Sequence, residues 1–179
     1  LNEGFARFME FKAVHHVFPE WNIWTQFLYS VQGLAFDRDA MATTHPIEVP
    51  VCHPSEIDHI FDVISYAKGA SVLRMLHEFI GEDTFMRGIK IYLERHQYGN
   101  AVTEQLWTAI DEAISEMGDG AKQRLGFKSV DDLMNNWIKT TGFPVVTVSV
   151  STEGTTIRLS QQRFQSAMTA AEAKSGADG

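Results

Sequence analysis

The hydrophobic pattern of this chain changes its period once, at Gly142. Before that residue, apolar side chains recur at intervals of three and four residues, which is the spacing of one helix face. After it, apolar and polar residues alternate, which is typical of a strand with one apolar face. The sequence therefore predicts a mainly α part, residues 1–143, followed by the first strands of a β domain, residues 144–164.

Several stretches of the first part carry the helical pattern, and local signals mark where helices begin or end. Thr103 is predicted to cap one helix, and Ser129, followed three residues later by Asp132, resembles a capping box. Lys68 and Gly69 predict a break between two helices, because glycine gives the backbone freedom. The apolar sets that support these helices are Trp24, Phe27, Leu28 and Val31; Ile57, Ile60, Phe61 and Ile64; Leu73, Leu76, Phe79 and Ile80; and Leu106, Trp107 and Ile110.

The stretch from Asp37 to Ser55 does not fit this pattern. Pro46, Pro50 and Pro54 push the residues before them toward extended conformations. A helix cannot continue through such a stretch, so the sequence predicts a long connection here. Long connections inside compact domains are often functional.

Two alternating runs follow Gly142 and predict a β-hairpin. Val146, Val148 and Val150 share one face of the first run, and the second run follows a turn at Glu153–Gly154. Because a lone hairpin is marginal in water, we expect further strands to complete its sheet and the chain to be part of a longer protein. Residues 165–179 are small and polar, which predicts a flexible tail.

The charge balance and cysteine usage narrow the classes of partner and compartment. The formal net charge is −8, with 15 basic and 23 acidic residues, which argues against nucleic acid as the main partner. No apolar run approaches the ~18 residues that a membrane-spanning helix needs. The single cysteine, Cys52, leaves no partner for an internal disulfide and favours a reducing compartment.

Two residues stand out as candidates for chemistry, although each also has an ordinary structural explanation. Glu3 lies in the first turn of a predicted helix, where the helix dipole favours a carboxylate. Tyr66 lies near a predicted helix junction, where a half-buried tyrosine is common. The residues alone leave both explanations open.

Five separated segments together resemble the gluzincin zinc aminopeptidases, most closely the puromycin-sensitive branch. The segments occur in the order of that family, and they cover the chain up to about Phe164. This resemblance implies the C-terminal helical part of a thermolysin-like catalytic domain, followed by the first strands of a small β-sandwich domain. The segments are LNEGFARFMEF, HPIEVPV, EIDHIFDVISYAKGASVLRML, YLERHQYGNAVTEQLW and WIKTTGFPVVTV.

The resemblance assigns roles to the two candidates. It implies that Glu3 is the third zinc ligand and that Tyr66 is the catalytic tyrosine. The two histidine ligands and the general base of the H-E-x-x-H motif do not occur in this sequence, and neither does a G-A-M-E-N-type motif. We therefore expect them upstream, in the missing N-terminal part of the same enzyme. The intact enzyme would bind Zn²⁺ and a peptide substrate, whereas this chain alone is expected to be inactive and not to retain zinc.

A different class of protein remains an alternative, namely a helical interaction or scaffold module without catalysis. The preferred N-terminal residue of the substrate and the oligomeric state are not indicated by the sequence. Lys68 is interpreted as lying near exposed carbonyls at a helix end, with a substrate contact as the alternative, and Arg74 is left undecided. The remaining residues are interpreted structurally. The aromatic residues Phe5, Phe8, Trp24, Trp107 and Trp137 are predicted to lie in the core, and the histidines His59, His77 and His96 at the surface or at helix junctions. The other histidines and the cysteine lack the spacing of a metal site; these are His15, His16, His45, Cys52 and His53.

Overall fold

A computed structural model describes residues 1–118 and 120–166, without the side chains of Asp58 and His59. Most of the predicted tail, from residue 167 onward, therefore lies outside the described residues. The helices are α1 (Asn2–Val17), α2 (Ile23–Phe27), α3 (Leu34–Asp39), α4 (Gly69–Ile80), α5 (Glu82–Arg95), α6 (Thr103–Glu116), α7 (Ala121–Leu125) and α8 (Val130–Ile138). Short 3₁₀ helices cover Pro19–Trp21 and Pro54–Ile60, π-helical segments cover Leu28–Gly33 and Ile64–Lys68, and the strands are β1 (Pro144–Val150) and β2 (Ile157–Arg163). The prediction of a mainly α chain followed by strands is confirmed.

The helical core forms where α1, α4, α5, α6 and α8 pack together. Its largest fully buried side chains include Phe8, Phe27, Phe85, Trp107 and Met134. Phe5, Trp24 and Trp137 are partly buried and pack against this core, so the predicted core role of the five aromatic residues is confirmed. Among the described residues, no helix is long and apolar enough to cross a membrane.

The buried face of α4 includes His77, which was predicted to lie at the surface or at a helix junction and which lies in the last turn of this helix. Leu73, Leu76 and Ile80 are buried as expected, but Phe79 is 47% exposed. His77 is buried instead, and its ring centroid lies 5.3 Å from those of both Phe8 and Phe85. The reason is the helical period, because residue 77 is four positions after Leu73 whereas residue 79 is six positions after it.

The predicted helix face from Ile57 to Ile64 is wrong, because the chain leaves the helix after Ile60. The 3₁₀ helix ends there, and Phe61 has φ −83° and ψ 69°. The next helix begins after Asp62, whose carboxylate accepts hydrogen bonds from the backbone N–H groups of Ile64 (2.9 Å) and Ser65 (3.2 Å). Ile57 and Phe61 are exposed, whereas Ile64 is buried.

The predicted helix break at Lys68–Gly69 is also wrong. The π-helical segment Ile64–Lys68 continues directly into α4, and Gly69 has right-handed helical angles, φ −53° and ψ −50°. Glycine is present here for lack of space rather than for backbone freedom. A Cβ atom on Gly69 would lie 3.0 Å from the Cα of Gly4 on α1.

Of the two predicted caps, one is confirmed. The hydroxyl of Ser129 accepts a hydrogen bond from the backbone N–H of Asp132 at 3.0 Å. Thr103 does not cap α6 but is its first residue, following Val102. Its hydroxyl donates to the Glu48 carboxylate at 3.2 Å, which ties α6 to the proline-rich connection.

The β-hairpin has the predicted apolar face. Strands β1 and β2 pair antiparallel, with Val148 opposite Leu159 and Val150 opposite Ile157. These four side chains are each more than half exposed. The hairpin is therefore confirmed, and its assignment to a β-sandwich domain, with a boundary at residue 143, stays a prediction.

Candidate active site

Helix α1 carries Glu3 in its first turn. The helix begins at Asn2, and the backbone N–H of Phe5 donates to the Leu1 carbonyl at 3.0 Å. A carboxylate at this end of a helix is stabilised by the partial positive charge of the helix dipole. The Glu3 side chain is half-buried, so it remains accessible to a ligand.

Tyr66 lies in the π-helical segment that precedes α4. The Asp62 cap fixes the start of this segment, and the backbone N–H of Tyr66 donates to the Asp62 carbonyl at 3.1 Å. Short π-helical insertions occur frequently at functional sites, because they redirect one side chain of a regular helix. The Tyr66 ring is half-buried, whereas its neighbours Ser65 and Ala67 are buried.

A contact between two glycines brings the helices of Glu3 and Tyr66 together. A Cβ atom on Gly4 would lie 2.6 Å from both the carbonyl carbon and the Cα of Gly69. Only hydrogen atoms fit between these backbones. Gly4 directly follows Glu3, and Gly69 is less than one helical turn after Tyr66. The close crossing of α1 and α4 therefore places the two candidate side chains beside each other.

Glu3 is close enough to Tyr66 to alter the pKa of the phenol. A hydrogen bond from the phenol to the Glu3 carboxylate raises the pKa of Tyr66 above its ordinary value, with burial and the Glu3 charge as smaller causes. The Arg7 charge opposes this shift of the pKa. Arg7 itself is paired with Glu10 at 2.8 Å. The phenol is thus held in its neutral form, in which it can donate a hydrogen bond.

A cavity of about 480 Å³ lies beside Glu3. Its walls are mainly apolar and come from α1, from the segment around Ile60, and from α5 and α6. Glu3 and Thr103 are among its few polar lining groups. A mainly apolar cleft with few polar groups is the usual form of a small-molecule or peptide site.

The other candidate residues lie elsewhere or have structural partners. His45 contacts the Pro46 carbonyl at 2.7 Å and the Asp62 carboxylate at 3.1 Å, so it supports the cap before Tyr66. Arg74 packs over the rings of Trp24 and Phe27, at 4.7 and 5.0 Å from their centroids. These contacts give both residues a role in packing.

Lys68 contacts carbonyl groups as predicted, but not at the end of its own helix. Its ammonium donates to the carbonyls of Thr140 and Gly142, which follow α8, and pairs with Asp39. Sequence reasoning missed Asp39 and the paired glycines. The pair Gly4 and Gly69 was a usable signal, since glycine within a helix often marks a close approach of another backbone.

The described residues fit a carboxylate contribution to a metal site, and no more than that. Glu3 has a carboxyl group that is accessible and lies near the Tyr66 phenol. Within the part of the chain that the structure describes, no three His, Cys, Asp or Glu side chains form a group that could hold a metal ion. A catalytic zinc site needs three protein ligands, and Glu3 by itself would supply at most one of them.

A carboxylate with a neutral phenol near it is a pair of residue types that metal-assisted hydrolases use. The family model described as "Peptidase family M1 domain" matches residues 1–137. The chain belongs to this family, so the membership predicted from the motifs is confirmed.

Curated relatives are similar to nearly the whole chain. It is 44% identical over 164 residues to "Aminopeptidase M1-D" of Oryza sativa subsp. japonica, covering 92% of this chain and 17% of the relative. It is 41% identical over 164 residues to "Leucyl aminopeptidase" of Saccharolobus solfataricus, covering 92% and 19%. It is 42% identical over 166 residues to "Aminopeptidase 2, mitochondrial" of Saccharomyces cerevisiae, covering 93% and 16%. The chain thus spans less than one fifth of the length of these relatives.

Proposed function

We propose that the intact protein is a zinc aminopeptidase that hydrolyses the N-terminal residue from peptides. In it, Glu3 is a zinc ligand and Tyr66 is a catalytic residue. The observation that carries this proposal is the close crossing of two helices at Gly4 and Gly69, which brings the Glu3 carboxylate near enough to the Tyr66 phenol to shift its pKa. Membership of peptidase family M1 and the aminopeptidase names of the relatives support it.

Each side chain has a distinct part in this chemistry. Zinc, when bound, polarises the peptide carbonyl and lowers the pKa of a water molecule. Glu3 contributes a negative, oxygen-donating ligand at a fixed position. Tyr66 turns its one O–H from Glu3 to the carbonyl oxygen and donates a hydrogen bond there as negative charge develops.

The first expected result concerns Glu3 in the intact enzyme. Glu3→Gln keeps the shape of the side chain but removes its charge, so zinc affinity should fall by more than the roughly 10–100-fold that loss of an outer-shell partner costs. Zinc content is measured by atomic absorption after dialysis against a graded chelator. The matched control is Glu10→Gln, on an exposed part of the same helix and paired only with Arg7 in the described contacts. Full zinc retention in Glu3→Gln would remove Glu3 from the ligand set.

A second expected result concerns the chain by itself. With one ligand of the three that a catalytic zinc site needs, it should not bind Zn²⁺ tightly and should not release an aminoacyl reporter group above background. Calorimetric titration with Zn²⁺ measures the first property. Tight one-to-one binding that Glu3→Ala abolishes would contradict the proposed division of ligands between this chain and the rest of the enzyme.

The alternative is a helical scaffold module that retains the fold without catalysis. An H-E-x-x-H motif in the coding sequence before Leu1 would support the enzyme, and its absence would support the scaffold. A cytoplasmic location is proposed from the family branch that the motifs resemble and from the single cysteine, and cell fractionation tests it.

A further inference from the structure

The ammonium group of Lys68 is buried and fully hydrogen-bonded. The residue is 5% exposed. Its Nζ atom lies 2.9 Å from Asp39 Oδ2, 2.9 Å from the Thr140 carbonyl and 3.3 Å from the Gly142 carbonyl. An ammonium has three N–H donors, and here three acceptors surround it.

Asp39 is equally well satisfied and reaches the same turn. It is 2% exposed, and its Oδ1 atom accepts hydrogen bonds from the Gly142 N–H at 2.8 Å and from the Thr44 hydroxyl at 2.9 Å. Gly142 therefore has its N–H bound to Asp39 and its carbonyl bound to Lys68. It also has φ +78°, which favours glycine. The network joins the end of α3, the helix of Tyr66 and the turn between α8 and β1.

The position of Lys68 relative to Tyr66 gives this network a geometric consequence. Side chains two positions apart on a helix point in nearly opposite directions. The anchored Lys68 side chain is buried in the protein, so the Tyr66 ring lies on the opposite side of the helix, which is the side near Glu3. A rotation of this helix by about ten degrees would move a hydroxyl about 9 Å from the helix axis by about 1.5 Å.

Stability alone does not account for such a buried pair. Replacing a buried ion pair by apolar side chains of similar volume is often neutral or stabilising, because taking two charges out of water is costly. What a satisfied buried network does supply is a single defined arrangement of the segments that it joins. Here those segments include the helix that carries Tyr66.

We propose that Lys68, held by Asp39 and by the turn at residues 140–142, is a positioning residue that sets the rotation of the Tyr66 helix and thereby the place of the Tyr66 hydroxyl. The proposal rests on the catalytic role proposed for Tyr66. It assigns Lys68 no contact with substrate, and its action passes through the Tyr66 hydroxyl.

The test is a double-mutant cycle in the full-length enzyme. The variants are Lys68→Met, Tyr66→Phe and both together, with kcat, KM, zinc content and thermal midpoint measured for each. Lys68→Met should lower kcat by roughly 10–10²-fold, because misplacement by about 1 Å has effects of this size. KM and zinc content should stay near parental values. In the Tyr66→Phe background, Lys68→Met should change kcat less than about threefold, since the hydroxyl that it positions is already absent.

Two further variants separate positioning from folding. Lys68→Met/Asp39→Leu removes both buried charges, so it should fold even where the single variant leaves the Asp39 charge unpaired. Because this double variant retains Tyr66, its kcat should still fall relative to the parent enzyme. Lys122→Met is the matched control, since Lys122 is a partly buried lysine that pairs with Asp111 at 2.9 Å on other helices, α7 and α6. It should affect the thermal midpoint without changing kcat.

The outcomes are distinguishable. If Tyr66→Phe leaves kcat near the parental value, the proposed role of Tyr66 fails. If Tyr66→Phe is impaired but Lys68→Met/Asp39→Leu folds with parental kcat, only the positioning role fails. The positioning role also fails if Lys68→Met lowers kcat by an equal factor with and without the Tyr66 hydroxyl, because the two residues then act independently.

Discussion

Tyr66→Phe in the full-length enzyme should lower kcat by roughly 10²–10³-fold, which is the usual effect of losing one oxyanion donor. The substitution keeps the ring and its packing, so it isolates the hydroxyl. If that hydroxyl donates to charge that develops during the reaction, the bond is stronger in the transition state than with bound substrate. KM should therefore change little.

The measurement is kcat, KM and bound zinc with an aminoacyl reporter substrate. Tyr29→Phe is the matched control, because Tyr29 also lies in a π-helical segment, Leu28–Gly33, but is 88% exposed. Its kcat should equal that of the parent. A Tyr66→Phe enzyme with full zinc occupancy and kcat within a few-fold of the parent would exclude Tyr66 from the mechanism.

The sequence predicted the elements whose pattern is local. The helical period, the Ser129 cap and the alternation in the hairpin each involve residues within one or two turns or strands of each other, so short spacings define them. Glu3 and Tyr66 were singled out by family motifs, and their assigned roles stay predictions. The contact between them was not visible in either motif.

The errors arose where distant segments decide a local structure. Gly69 was interpreted as a break, because a sequence does not show that Gly4 occupies the space beside it. Lys68 was placed at its own helix end, although its partners lie 72 and 74 residues later in the chain. His77 was assigned to the surface or to a helix junction, whereas its position four residues after Leu73 would have indicated burial.

The contact between Gly4 and Gly69 yields the second large expected effect. Gly4→Ala would place a methyl group 2.6 Å from the backbone of Gly69, and backbone atoms cannot move aside as a side chain does. Helices α1 and α4 would have to separate, at a cost of about 1–3 kcal/mol or more in the free energy of unfolding. Glu3 and Tyr66 would move apart with them, so we expect both zinc affinity and kcat to fall by at least about 10²-fold.

Two other glycines serve as controls for this variant. Gly88→Ala also creates a close contact, 2.9 Å from Ile110 Cα, but between α5 and α6. It should lower the thermal midpoint comparably and leave kcat and zinc content unchanged in the enzyme that remains folded. Gly33→Ala meets only the Leu28 carbonyl at 3.5 Å, an ordinary contact, and should be neutral or stabilising by about 0.5–1 kcal/mol.

The comparison of Gly4→Ala with Gly88→Ala separates a positioning effect from a general loss of stability. If the two variants lose stability to a similar degree and only Gly4→Ala loses zinc and kcat, the close crossing of α1 and α4 is what aligns Glu3 with Tyr66. If both lose kcat in proportion to their stability, the crossing matters to folding alone. Thermal unfolding, zinc content and kcat, measured on the same preparations at a temperature where both variants are folded, distinguish these results.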